Sequence, residues 1–172
     1  MSRTRTLAAV AAVAALVVTT PAHAQALPSK DDVNTAQGAI VGTWRMMIDP
    51  LPNPAGDPPA FPSIISFASD GTVVDVVSSV PGYPALVALG ANGATSGLGS
   101  WSQKKEAVKF TFERFITKDG RFVARQRIQG TLKVAKSGVA QSGPAVATFL
   151  DGSDTPLGPP VQIAASGTRL TP

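Results

Sequence analysis

Punctuation is what most constrains this chain. Beyond residue 24 no apolar stretch keeps a 3.6-residue period for more than two turns before a glycine or proline interrupts it, so long helices are excluded. Short runs rich in Val, Ile, Phe and Thr alternate instead with compact turn signals: Ser69-Asp70-Gly71, Lys118-Asp119-Gly120, Lys136-Ser137-Gly138 and Asp151-Gly152. Aspartate and glycine supply the left-handed backbone that tight hairpins need, so each signal reads as a reversal between antiparallel strands. The 16 glycines and 15 prolines follow no triplet period, which excludes collagen, and a hydrophobic fraction of 44% excludes intrinsic disorder.

Eight runs are expected as strands: about 40–48, 61–68, 72–79, 98–103, 107–117, 122–134, a seventh ending at Leu150, and 161–170. Asp49-Pro50 is expected to end the first and to open a proline-rich loop to Pro59, because proline cannot continue a central ladder. In the connection 80–97, Pro84 to Gly90 has the proline-start, glycine-stop form of a one- or two-turn helix, apolar enough to act as a lid. Eight consecutive strands joined mainly by hairpins predict an all-β, eight-stranded antiparallel up-and-down barrel, since closure removes exposed edges; two packed sheets are the alternative.

At the N-terminus, Arg3 and Arg5 precede an apolar run from Leu7 to Val18 and then Ala22-His23-Ala24, the pattern of a secretory signal peptide cleaved after Ala24. The expected organisation is signal peptide 1–24, polar arm 25–38 and barrel domain 39–172, with the protein secreted or periplasmic. No later segment is long and apolar enough for a membrane-spanning helix, so no integral membrane segment is expected after cleavage. Cleavage removes the single histidine, His23, and the chain has no cysteine. Histidine- or cysteine-dependent catalysis, zinc, haem and iron–sulfur chemistry therefore lack their side chains, and no cofactor or metal site is expected. Losing Arg3 and Arg5 from a formal charge of +4 leaves the mature chain close to neutral. Arg121, Arg125, Arg127 and Lys133 share one strand parity and read as a solvated outer face, without the interleaved aromatics of a nucleic-acid site.

Inward parity collects Trp44, Met46, Phe110, Phe112 and Phe122, with Arg114 and Gln126 as polar interruptions, and Trp101 is added from the fourth run. Such a lining suits a small hydrophobic or amphipathic ligand; the same side chains would equally fill a small barrel. Arg114 aimed inward needs an anion, from Asp75 or from a bound carboxylate. A bulge there would instead reverse the parity, placing Phe115 inside and Arg114 in water. Asp75 interrupts Val73, Val74, Val76 and Val77 and is the one acid expected near a cavity. Asp70, Asp119 and Asp151 each precede a glycine and read as turn formers, so no catalytic residue is assigned.

The first strand, Ile40-Val41-Gly42-Thr43-Trp44-Arg45, resembles the opening Gly-x-Trp strand of the lipocalin and avidin group, the calycin-type barrels. Gly167-Thr168-Arg169-Leu170 ends the last strand, and the resemblance implies that Arg169 packs across Trp44 to close the barrel. A second lipocalin motif, a disulfide and a C-terminal helix are missing, and two tryptophans are too few to carry biotin binding over. Three functions follow as expectations: a secreted barrel binding an amphipathic molecule in its interior, a barrel isomerase or cyclase acting by substrate positioning, as in allene oxide cyclase-type barrels, or a filled, non-catalytic interaction module.

Overall fold

In a computed structural model, residues 39–51, 59–77 and 84–171 are described. The expected signal peptide, polar arm and the 52–58 and 78–83 connections lie outside them. The elements are β1 (Gly42–Pro50), β2 (Phe61–Phe67), β3 (Thr72–Val77), α1 (Pro84–Ala88), β4 (Gly93–Ala94), β5 (Gly97–Lys104), β6 (Ala107–Lys118), β7 (Arg121–Val134), β8 (Ala140–Leu150) and β9 (Val161–Arg169). Each long strand pairs antiparallel with the next, and β1 pairs with both β2 and β9, so the ladder closes into an eight-stranded barrel. The expected all-β up-and-down architecture is therefore observed. β4, which was not foreseen, pairs with β6 at Ile116 and Thr117, beyond the last β5 pair at Leu98 and Glu113.

Local chemistry explains the reversals. Asp119 and Gly120 have φ of 50° and 76°, the two positive values of a two-residue hairpin turn whose twist matches the flanking strands. Asp70 accepts a hydrogen bond from the Thr72 amide at 2.8 Å, fixing the β2–β3 turn. Helix α1 stops at Gly90, whose φ of 64° suits the left-handed residue that ends a helix.

One boundary differs from expectation. β1 continues through Asp49 and Pro50, which lie opposite Ala164 and Ile163 of β9. Its last pair with β2 is Ile48 with Phe61, so Pro50 sits where one side of the ladder already has no partner to receive an N–H.

The interior is stratified. One end holds Ile40, Trp44, Phe67, Val73, Trp101, Val108 and Leu132, all buried. The Trp101 ring meets Phe67 edge-on at 5.9 Å, and its indole N–H donates to the Ala68 carbonyl at 2.9 Å. In the middle layer Phe110 and Phe112 stack at 5.9 Å. Phe110 faces Gly130 across the β6–β7 pair, and a Cβ on Gly130 would lie 2.6 Å from its ring. The missing side chain is thus the hole that the aromatic ring fills. At the other end Leu86 of α1 packs on Ile116, Ala124 and Phe149.

The seam between first and last strands is held by Arg169. The Arg169 guanidinium lies 4.4 Å from the Trp44 ring. Its Nε donates to the Gly138 carbonyl at 2.9 Å, Nη1 to Val41 at 2.5 Å, and Nη2 to Ala39. One side chain therefore ties β9, the β7–β8 turn and the entry to β1 together across an indole. We expect Arg169→Met to lower unfolding free energy by about 2–4 kcal/mol, the combined scale of lost carbonyl hydrogen bonds and a cation–π contact. Arg169→Lys should recover less than half of that loss, because an ammonium cannot span three carbonyls; urea denaturation monitored by Trp44 and Trp101 fluorescence checks both.

Candidate functional site

A polar cluster sits in the apolar barrel between the arginine-closed end and α1. β3 carries Asp75 inward on the parity of Val73, and β6 carries Arg114 inward on the parity of Phe110 and Phe112. Their side chains are only 3% and 1% exposed, and Arg114 Nη1 donates to Asp75 Oδ2 at 3.0 Å. Ser63 of β2 donates its hydroxyl to the other carboxylate oxygen. Arg114 Nε donates to Gln126 Oε1 of β7 at 2.6 Å, so four strands converge on one buried network. Of the two alternatives for Arg114, the inward one holds, and the half-exposed Phe115 faces outward.

The bulge exists but lies further on. Ile116 pairs with Ala124 while Thr117 pairs with Phe122, which leaves Val123 as the extra residue on β7. That residue corrects one expectation: Phe122, taken as part of the inward lining, is turned outward and 48% exposed. It meets Phe115 edge-on at 5.8 Å on the outer wall.

The other expected lining residues separate by depth. Met46, Asp75, Phe110, Phe112 and Arg114 surround a shared internal cavity of about 20 Å³, together with Ile48, Phe61, Ser63 and Ile163. That volume is near the minimum for one water molecule. Gln126 joins through Arg114. Trp44 and Trp101 lie deeper, at the closed end, with the Trp44 indole N–H bonded to the Ile40 carbonyl at 2.8 Å. Ser63 was missed, although it shares the inward parity of Ile65 and Phe67; a serine at that position is the signal that could have found it. Leu86 was legible only as part of an apolar lid segment.

The chain matches no protein-family model, no curated protein and no solved structure. The chemistry of the site must carry the functional reading by itself. Among the described residues no group of three or more His, Cys, Asp or Glu side chains is placed to hold a metal, and no helix is long and apolar enough to cross a membrane.

Burial raises the Asp75 pKa above the usual aspartate value; the Arg114 charge and the Ser63 hydrogen bond oppose the rise without cancelling it. Gln126 is fully buried, its carbonyl is used by Arg114, and its Nε2 donor has no hydrogen-bond partner. An unsatisfied buried amide N–H costs on the order of 1–3 kcal/mol, so the network holds an unspent hydrogen-bond donor.

The ion pair makes a signed prediction. Asp75 is raised in the folded state, so its contribution to stability is full below the unfolded pKa and declines as pH rises through the folded value. Arg114→Met removes the opposing cation, so its decline should extend to higher pH than in the wild type and reach about 3–5 kcal/mol of lost stability near neutrality. Adding Asp75→Leu to Arg114→Met should restore most of the loss and flatten the profile. A double-mutant cycle by urea denaturation at several pH values measures both effects.

Proposed function

We propose that the protein is an exported, calycin-type barrel that holds a small amphipathic molecule at its α1 end. The ligand's polar head would lie against Gln126, Arg114 and Asp75, and its apolar part would replace Leu86 over Ile116 and Phe149. The observation that carries this reading is the buried Gln126 Nε2 without a partner. A carbonyl, hydroxyl or carboxylate oxygen would satisfy it, and the neighbouring guanidinium favours the same acceptor. Apolar residues around the cluster suit a hydrocarbon body. Entry requires Leu86 to move, because the closed cavity of about 20 Å³ admits no such molecule. Displacing one short helix is a smaller rearrangement than opening the barrel wall, whose strands are paired all round.

The cavity volume also favours a second reading, a filled barrel that works through its outer surface. cis-Parinaric acid, a fluorescent polyene carboxylate, separates the two. On the binding reading, fluorescence rises on mixing with the wild type, Leu86→Ala tightens binding roughly tenfold, and Gln126→Met weakens it by a similar factor, the scale of one buried hydrogen bond. If neither the wild type nor Leu86→Ala binds, the interior reading falls and the filled barrel stands.

A further inference from the structure

A broad concavity lies on the outside of the barrel, a groove of about 730 Å³ crossing β7, β8, β9 and β1. Strand register defines its shape. One row of paired residues runs Lys133, Ser142, Ser166, Met47, and the adjacent row runs Ala140, Thr168, Arg45. The outward side chains of β8 and β9 in these rows are therefore small and mostly hydroxylated, while the flanking strands carry long ones. Three strand spacings of about 4.8 Å put the lysine side and the arginine side about 14 Å apart.

The charge around this groove is one-sided. Arg45, Lys133 and Lys136 line it and form no ion pair among the described residues, with Glu106 the one acid in the lining. Lys104 and Lys105 stand on the neighbouring β5–β6 turn, adjacent to Lys133 through the pairing of Ala107 with that residue. Two outer basic residues further along β7 are neutralised instead: Arg125 pairs with Glu113 and Asp154, and Arg127 pairs with Glu113. Beneath the groove floor, on the inward parity of Ala145 and Ala147, Gln141 is buried and donates from Nε2 to the Met46 sulfur at 3.1 Å.

We infer that this groove binds an acidic oligosaccharide, a short glycan chain carrying uronate or sulfate groups. The three cations at the two sides take the negative groups, and the Ser142, Ser166 and Thr168 hydroxyls face the sugar hydroxyls between them. The two sides stand about 14 Å apart, a span that a chain with several acidic groups bridges and a single sulfate or phosphate does not. No aromatic side chain lines the groove, so unstacked nucleic-acid bases find no platform. A flat lipid surface would leave the groove's volume of about 730 Å³ unfilled. The interior site and this groove use opposite faces of the wall, so the inference stands independently of the parinarate result.

Trigalacturonate, maltotriose, sodium sulfate and a ten-residue oligothymidylate are the probes, titrated calorimetrically into the wild type, Lys133→Gln/Lys136→Gln and Arg45→Gln. Trigalacturonate should bind, more weakly as salt rises, and each variant should weaken it roughly tenfold or more, the scale of charge-assisted hydrogen bonds, with Tm unchanged. Maltotriose should not bind measurably. The inference is overturned if trigalacturonate does not bind, if the variants bind it as the wild type does, or if sulfate or oligothymidylate binds as tightly.

Discussion

An eight-stranded antiparallel sheet keeps two unpaired edges unless its first and last strands meet, and here Arg169 secures that meeting. The guanidinium does more than contribute charge: its planar fork reaches three backbone carbonyls from separate parts of the chain while its face covers Trp44. With β1 paired to both β2 and β9, neither the first nor the last of the eight strands is left as an open edge of the sheet. Closure also defines an inside. Without it, the alternation along each strand would sort residues between two faces of a sheet; with it, one of those faces becomes sealed from water.

Sealing raises the stakes for every polar residue on that face. Asp75 and Arg114 would be ordinary surface partners on an open sheet, where their attraction would be small. Inside the barrel each needs the other, and Ser63 and Gln126 are needed to complete the network. A wholly apolar layer of the same volume would hold the strands at least as well. The chain nevertheless places four polar side chains there and leaves the Gln126 Nε2 donor unspent. The two ends differ: one is stopped by tryptophan under arginine, the other by Leu86 of a five-residue helix, with Leu89, Ala91 and Ala94 packed against the same cluster.

How far the sequence revealed this depends on the range of the signal. Turns encoded by adjacent residues, such as Asp119-Gly120, were legible because two φ angles decide them. Period-two alternation placed Phe110, Phe112 and Arg114 on one face, and an aspartate among valines marked Asp75. Phe122 escaped because parity counting assumes unbroken register, and Val123 breaks it; nothing in Arg121-Phe122-Val123-Ala124 announces a bulge. Pro50 escaped because its tolerance depends on the β1–β2 pairing stopping two positions earlier, at Ile48 and Phe61, a property of another strand. The unsatisfied state of Gln126 was wholly out of reach, since it is the sum of contacts made and not made by residues from several strands.

Alternation also explains how one wall divides its residues between the interior cavity and the outer groove. On β1, Met46 points to the interior cavity, while Arg45 and Met47 on either side of it point to the outer groove. On β9, Ala165 lines the cavity and Ser166 and Thr168 lie outside. Gly167 is the point of contact between the two faces. A Cβ there would lie 2.3 Å from the Met46 sulfur, so this position must stay bare for Met46 and Gln141 to meet beneath it. A backbone stripped to glycine at that row keeps the wall thin where the groove lies over the barrel interior. The outward side chains can then change freely in charge and size while the packing that closes the barrel stays as it is, except at this residue, where both faces share the same atoms.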